Sequence, residues 1–214
     1  GQKVMNAMWG AGQMMFNKIL VIADEGAKIQ DYKTLAQYVF KNLNPATDIA
    51  FASGPMNVLD HSCSKLGFGG KMCIDGTAKH NEEKDDLYKP GIYSNDPASI
   101  ESGLKFKYPE IKTVNSSLLA IEIPCLIISV QKNRVGHINE LHEKICTLKE
   151  TEGIKLILYV EHTVDAHDLP TALWRFCNNL DPKRDNCLFK QSSQNSYFAC
   201  MGLDGTRKTK EFDN

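Results

Sequence analysis

The 214 residues predict an α/β fold of layered α/β/α type, made of two tandem copies of one strand–helix–strand unit. Three observations carry this. Met-x-x-Asp-Gly-Thr-x-Lys is written twice, from Met72 to Lys79 and from Met201 to Lys208. The stretch KILVIADEGAKIQDYKTLAQYVFKNLNPATDIAF from Lys18 aligns without a gap on KLILYVEHTVDAHDLPTALWRFCNNLDPKRDNCL from Lys155. Within both stretches a short apolar run is followed by an amphipathic stripe and then another apolar run, the alternation of a layered α/β protein.

The elements follow in order. Val4 to Phe16 reads as one Met-rich helix, with Gly10 and Gly12 allowing close packing and Met14, Met15 and Phe16 in the core. Ile19 to Ala23 is a wholly apolar, β-branched run, the pattern of a strand covered on both faces. Asp31 is placed to cap a helix with apolar positions Tyr32, Leu35, Ala36, Val39, Phe40 and Leu43. Pro45 ends it, because proline cannot continue the hydrogen-bond ladder. Ile49 to Ala52 is the next strand, and a long loop runs from Ser53 to Lys71. In the second copy CLIISV is a strand and His137 to Thr147 a helix. KLILYV is a strand, and Asp168 caps a helix with apolar positions Leu169, Ala172, Leu173, Phe176, Cys177 and Leu180. Pro170 falls in its first turn, where it is tolerated.

Between the copies, Lys84 to Lys112 is polar and broken by Pro90, Pro97 and Pro109, and reads as an irregular insertion or linker. The domain plan is therefore a first copy over 1–83, an insertion over 84–112 and a second copy over 113–214. The second copy spends about eight residues fewer before its Asp-Gly-Thr motif. A long loop at the edge of an α/β sheet is where function usually sits, which places the site in the first copy.

Composition bounds the function. With 42% hydrophobic and 24% charged residues the chain has the makeup of a globular protein. A formal net charge of -1 offers no electrostatic case for nucleic acid or an anionic membrane. No apolar run approaches a transmembrane span. Seven cysteines, an odd number with no Cys-x-x-Cys pair, predict a reduced, cytoplasmic protein. Cys125, Cys146 and Cys177 lie in apolar runs and read as small hydrophobes. The chain opens on Gly1, which suggests a piece cut from a longer protein.

Candidate chemistry is sparse. Gly10-Ala11-Gly12 precedes its strand and lacks the third glycine of a dinucleotide fingerprint, which argues against a nucleotide-binding domain. Asp60, His61 and Cys63 sit close together; a carboxylate beside an imidazole can orient it for proton transfer, while a metal site there lacks further ligands. Asp75-Gly76-Thr77 and Asp204-Gly205-Thr206 read as turns, with glycine at positive φ. Asp24 and Glu161 end strands and are expected to cap the turn that follows. His162 and His167 read as surface residues, and Arg184 with Asp185 as a local pair.

In sequence order, WGAGQMMFNKILVIADEGAKIQDY, NPATD, GPMNVLDHSCSKLGFGGKMCIDGTAK, ISVQKNRVGHINEL, DPKRD and MGLDGTRK resemble the C-terminal domain of the UbiD family of decarboxylases. Asn44 and Thr47 stand where the family has Asp and Arg; Asp181 and Arg184 restore both in the second copy, which lacks the Leu-Asp-His loop. The duplication resembles that of longer bacterial members associated with quinone biosynthesis.

The resemblance implies non-oxidative decarboxylation of an aromatic, hydroxybenzoate-like or α,β-unsaturated acid by the full-length enzyme. It implies prenylated FMN, manganese and potassium, all bound by an upstream domain; this chain alone is expected to hold no cofactor and no metal and to be inactive. The C-terminal domain is expected to form homo-oligomers and to lend the upstream flavin-binding domain one loop of the substrate pocket. By motif that loop is Gly54 to Cys63, with His61 as the catalytic polar contact and Leu59, Met56 and Asp60 as substrate-binding residues. The alternative is a non-catalytic α/β interaction domain.

Overall fold

The structure is a computed structural model that describes residues 1–91 and 97–211. Its elements are α1 (Gln2–Trp9), β1 (Ile19–Ile22), α2 (Tyr32–Asn42), β2 (Ile49–Pro55), β3 (Phe68–Asp75), α3 (Pro97–Lys107), β4 (Ile111–Asn115), β5 (Cys125–Val130), α4 (His137–Cys146), β6 (Leu156–Glu161), α5 (Leu169–Asn179), β7 (Asn186–Ser192) and β8 (Tyr197–Asp204). Short 3₁₀ turns join several of them.

The two copies superimpose in topology and in register. The first forms a sheet in the order β1-β3-β2, and the second extends the same motif into β4-β5-β6-β8-β7. β1 runs parallel to β3 with Ile19 beside Met72, as β6 runs parallel to β8 with Leu156 beside Met201. β2 returns antiparallel with Ile49 beside Ile74, matched by Asn186 beside Leu203.

The five-stranded sheet is covered on both faces, as its near-continuous apolar strands require. One face packs Ile128, Ile157 and Tyr159 against Ile100 and Leu104 of α3 and Ile138, Leu141 and Ile145 of α4. The other packs Leu156, Leu158 and Val160 into a core shared with α5, α2 and the three-stranded sheet, through Phe176, Leu180, Leu43 and Met72. The two copies therefore share one hydrophobic core.

The recurring residues build the strand–helix–strand junction. Asp31 and Asp168 cap their helices, accepting from Thr34 N–H at 3.1 Å and Thr171 N–H at 3.3 Å. Asp75 Oδ1 accepts from the Thr77 N–H and hydroxyl at 3.1 and 2.6 Å; Asp204 does the same for Thr206 at 2.9 and 2.5 Å. The motif glycines donate to the preceding parallel strand, Gly76 to Ile22 O at 2.8 Å and Gly205 to Tyr159 O at 2.9 Å. Their carbonyls accept from Asn42 and Asn179, each at 3.1 Å. The motif lysines close the loop on the carboxylate after each helix, Lys79 to Asp48 and Lys208 to Asp185, both at 3.5 Å.

Several expectations need correction. The segment before β1 is not one helix: α1 stops at Trp9, and Gly12, with φ 47, begins a separate 3₁₀ turn to Phe16. Met14, Met15 and Phe16 are not buried there. Gly76 and Gly205 are not at positive φ. Their requirement is space, because a Cβ would stand 2.7 Å from the Val39 side chain and 2.4 Å from the Phe176 ring. Pairing with β3 carries β2 on to Pro55, so the long loop shrinks to 56–67. The insertion 84–112 is not irregular throughout: α3 buries Ile100 and Leu104, and β4 begins at Ile111; its residues 92–96 lie outside those described. Cys125 and Cys146 are buried, but Cys177 is exposed on α5. Asp24 and Glu161 close the next turn through their carbonyls, which accept from Ala27 and Val164 N–H at 2.9 Å, and not through their side chains. Asp24 accepts from Ala78 N–H and Tyr38 O–H, and Glu161 accepts from Asn179 at 3.1 Å.

Candidate functional site

The 56–67 loop is held at its base by hydrogen bonds within the first copy and by reach from the second. Met56 N–H donates to Gly67 O at 2.9 Å, continuing the β2–β3 hairpin, and Gly67 takes φ 68 at the turn back. Asn57 Oδ1 accepts from Leu59 N–H at 2.9 Å, and Asp60 Oδ1 accepts from the Ser62 N–H and hydroxyl at 3.0 and 2.6 Å. These side-chain turns fix a backbone that has no ladder of its own.

Lys18 locks this loop to the other copy. Its Nζ stands 2.7 Å from Asp60 Oδ2 and donates to Ser62 Oγ at 2.9 Å. It also donates to the carbonyls of Cys177 and Leu180 at the end of α5, at 2.8 and 3.1 Å. A cation there satisfies orphan carbonyls and the negative end of the helix dipole. Lys155 makes the reciprocal contact, donating to Phe40 and Leu43 at the end of α2 at 2.6 and 2.7 Å. Only the first copy adds a loop carboxylate. Burial pushes the Asp60 carboxyl up, but hydrogen bonds from Lys18 and Ser62 outweigh it and hold it below its ordinary value.

Arg184 adds a second tie, donating to Ser62 O at 3.2 Å while pairing with Asp185 at 2.6 Å. Asp181 accepts from Gly70 N–H at 3.0 Å, and a Cβ on Gly70 would stand 1.9 Å from its carboxylate. Glycine is thus needed where the second copy presses on β3. The counterpart Asn44 instead donates to Tyr197 at 2.7 Å. Ser53, Lys65, Phe68, Gly69, Lys183 and Arg184 surround a cleft of about 300 Å³ at this junction.

The four sequence-predicted residues part company. Met56 is buried, 3% exposed, and forms the loop's foot; Asp60 is engaged by Lys18. Leu59 is 75% exposed, and His61 is also at the surface. Val58, 67% exposed, joins Leu59 in an exposed apolar tip, and Leu66 is exposed next to the loop's base. The anchor residues Lys18 and Arg184 were not singled out as loop partners. Lys18 recurs as Lys155 in the aligned stretches, but nothing local to either lysine shows what it reaches.

Known proteins match this architecture. A family model described as the 3-octaprenyl-4-hydroxybenzoate carboxy-lyase C-terminal domain covers residues 1–76 and 97–208. An uncharacterized protein of Helicobacter pylori strain J99 is 29% identical over 209 residues, 97% of this chain and 31% of its own length. One from Aquifex aeolicus is 40% identical over 81 residues, 38% of this chain and 17% of its own. The chain thus spans about a third of the length of the Helicobacter relative. Among solved structures, the open form of Sedimentibacter hydroxybenzoicus vanillic acid decarboxylase matches 78% of this chain and 39% of its own at 15% identity and TM-score 0.47. The FMN complex of a UbiD-class enzyme from Pelotomaculum thermopropionicum matches 53% and 27% at 18% identity and TM-score 0.44. The family model, spanning both copies, establishes that this chain belongs to the UbiD C-terminal domain family.

Proposed function

We propose that this chain is the site-completing and self-associating part of a UbiD-type non-oxidative decarboxylase acting on an aromatic, hydroxybenzoate-like or unsaturated carboxylic acid. The observation that carries this is the 56–67 loop: an apolar tip of Val58 and Leu59 held in water by a partly buried Lys18–Asp60 anchor. Exposed apolar side chains on a fixed loop fit a surface that is covered in the complete protein. Leu59 then forms an apolar wall and His61 a polar contact to the substrate. Met56 and Asp60 act from beneath, by holding the loop's shape.

Prenylated FMN, when bound, supplies the electron sink for loss of carbon dioxide. Gly10 and Gly12, the pair nearest to a dinucleotide pattern, do not support a cradle for it. Gly10 and Gly12 lie between α1 and a 3₁₀ turn, not between a strand and the helix it feeds. We assign flavin, manganese and potassium to the upstream domain. Self-association draws support from β1, which has no partner strand on its outer edge among the described residues. Val21 is 46% exposed there, against 8% for its counterpart Leu158 beneath β5.

Replacing His61 or Leu59 by Ala in the full-length protein is expected to lower turnover about tenfold or more, with the fragment's thermal midpoint unchanged. A normal rate per folded enzyme in both variants would remove the loop from the site. The apolar tip also suits the alternative, a non-catalytic interaction domain, in which the same variants weaken association and leave decarboxylation untouched.

A further inference from the structure

The second copy contains a cluster that the loop site does not use. His142 and Cys146 lie one turn apart on α4 and face β8, where Cys200 points back at them. All three are buried, 1%, 3% and 0% exposed. One ligand atom from each lies within 4.8 Å of the others. We propose that His142, Cys146 and Cys200 form a site for a thiolate-seeking d¹⁰ metal ion, zinc being its test case, with the neighbouring Cys187 of β7 drawn in as a fourth ligand when the ion binds.

The imidazole is set for this. Nε2 lies 3.2 Å from Cys200 O, and a carbonyl only accepts, so Nε2 carries the proton. Nδ1 is then the lone-pair nitrogen. A metal-bound histidine typically donates its other N–H to a backbone carbonyl in this way. Cys146 Sγ stands 3.8 Å from Nδ1 and 3.6 Å from Nε2, over the ring, so its side chain must swing toward the Nδ1 lone pair to share an ion with bonds of about 2.0 and 2.3 Å. Tyr159 O–H now donates to Nδ1 at 2.9 Å and is the group the ion displaces.

Room for the ion comes from glycine. A Cβ on Gly202 would stand 2.5 Å from Cys187 Sγ and 2.7 Å from His142 Nδ1, so the missing side chain is what lets these two groups converge. Access comes from outside: Cys146 lines a cleft of about 630 Å³ together with Lys89, Lys149, Gln191 and Phe198. On binding, the cysteine thiols release their protons to solvent and coordinate as thiolates, while His142 binds as the neutral ring.

The test uses the 214-residue chain, reduced and stripped with chelator. Titrated cobalt(II) is expected to bind at one equivalent, with thiolate-to-cobalt charge transfer and tetrahedral d–d bands, and zinc to displace it. Zinc should raise the thermal midpoint and protect Cys146, Cys187 and Cys200 from alkylation, mapped by mass spectrometry on the wild-type chain. C146S and C200S should each lose about tenfold or more in affinity, and C177S none. Absence of the charge-transfer band, protection falling on Cys63 or Cys177 instead, or unchanged affinity in both C146S and C200S overturns the proposal. Because mapping and spectra are read on the wild type, misfolding of a variant leaves the test intact.

Discussion

Lys71 of β3 points outward toward the N-terminal segment, donating to Met15 O at 2.6 Å and Asn17 O at 2.9 Å with Trp9 stacked nearby. At the matching place on β8 stands Cys200, facing His142 and Cys146 of α4. Inner faces and junctions behave differently: Lys18 and Lys155, Asp75 and Asp204, Gly76 and Gly205 make the same contacts in both copies. Junction geometry is dictated by the unit itself, so its residues recur. The outer face is dictated by whatever covers it, the short helix α1 and a 3₁₀ turn in one copy and two helices in the other. The outer faces and the 56–67 loop are accordingly where the copies carry different chemistry.

The largest expected effect tests the reciprocal lysines. K18M strands a half-buried Asp60 as well as two helix-end carbonyls, and should cost about 3 kcal/mol in urea unfolding. K155M strands carbonyls alone and should cost about 1–3 kcal/mol. Equal costs would show that the loop carboxylate adds nothing to the first copy's anchor.

Next come the motif glycines. In G205A the new Cβ meets the Phe176 ring and, at 2.9 Å, its Cα, which cannot swing away. About 1–3 kcal/mol of overpacking is expected. In G76A the new Cβ stands 2.7 Å from the Val39 side chain, a milder approach than the 2.4 Å to the Phe176 ring, and the change should cost less. A larger loss in G76A than in G205A contradicts the close-approach explanation.

The helix caps differ more finely. D31A removes bonds to both the Thr34 amide and hydroxyl, whereas D168A removes a single 3.3 Å amide bond. Both variants should lower the denaturant midpoint, D31A by the larger amount.

The smallest effect is in pH. The Asp60 carboxyl is lowered in the fold, so its stabilisation is complete above its unfolded value of about 3.9 and is lost as pH falls through the folded value. The stability gap between wild type and D60N should therefore be constant above about pH 5 and narrow below pH 4. A gap that does not change with acid breaks the assignment of Asp60 as a charged anchor.

The features carried by a few neighbouring residues agree with the structure in the caps, the helical stripes and the repeated junction. Asp31 and Asp168 announced caps because a cap is made within three residues. The stripes ending in Leu43 and Leu180 announced helices because periodicity is a property of the helix itself. Met-x-x-Asp-Gly-Thr-x-Lys announced a repeated junction. The broken N-terminal helix was missed because Gly10 and Gly12 weaken a helix without forbidding one. Helix α3 was missed because three prolines framed it, and its burial of Ile100 and Leu104 depends on β4 and β5.

The candidate sites were legible only in part. The sequence by itself determined the duplication, the strand–helix–strand order, the caps and the loop that distinguishes the first copy, since these are written in local spacing and its repetition; the family was a resemblance carried by motifs in order. Tertiary structure alone decided that Lys18 reaches Leu180 across 162 residues, that Met56 turns inward while Leu59 turns out, and that Cys200 of β8 meets His142 of α4. Such contacts arise when two faces pack, and packing joins residues by their place in the fold, not by their distance along the chain.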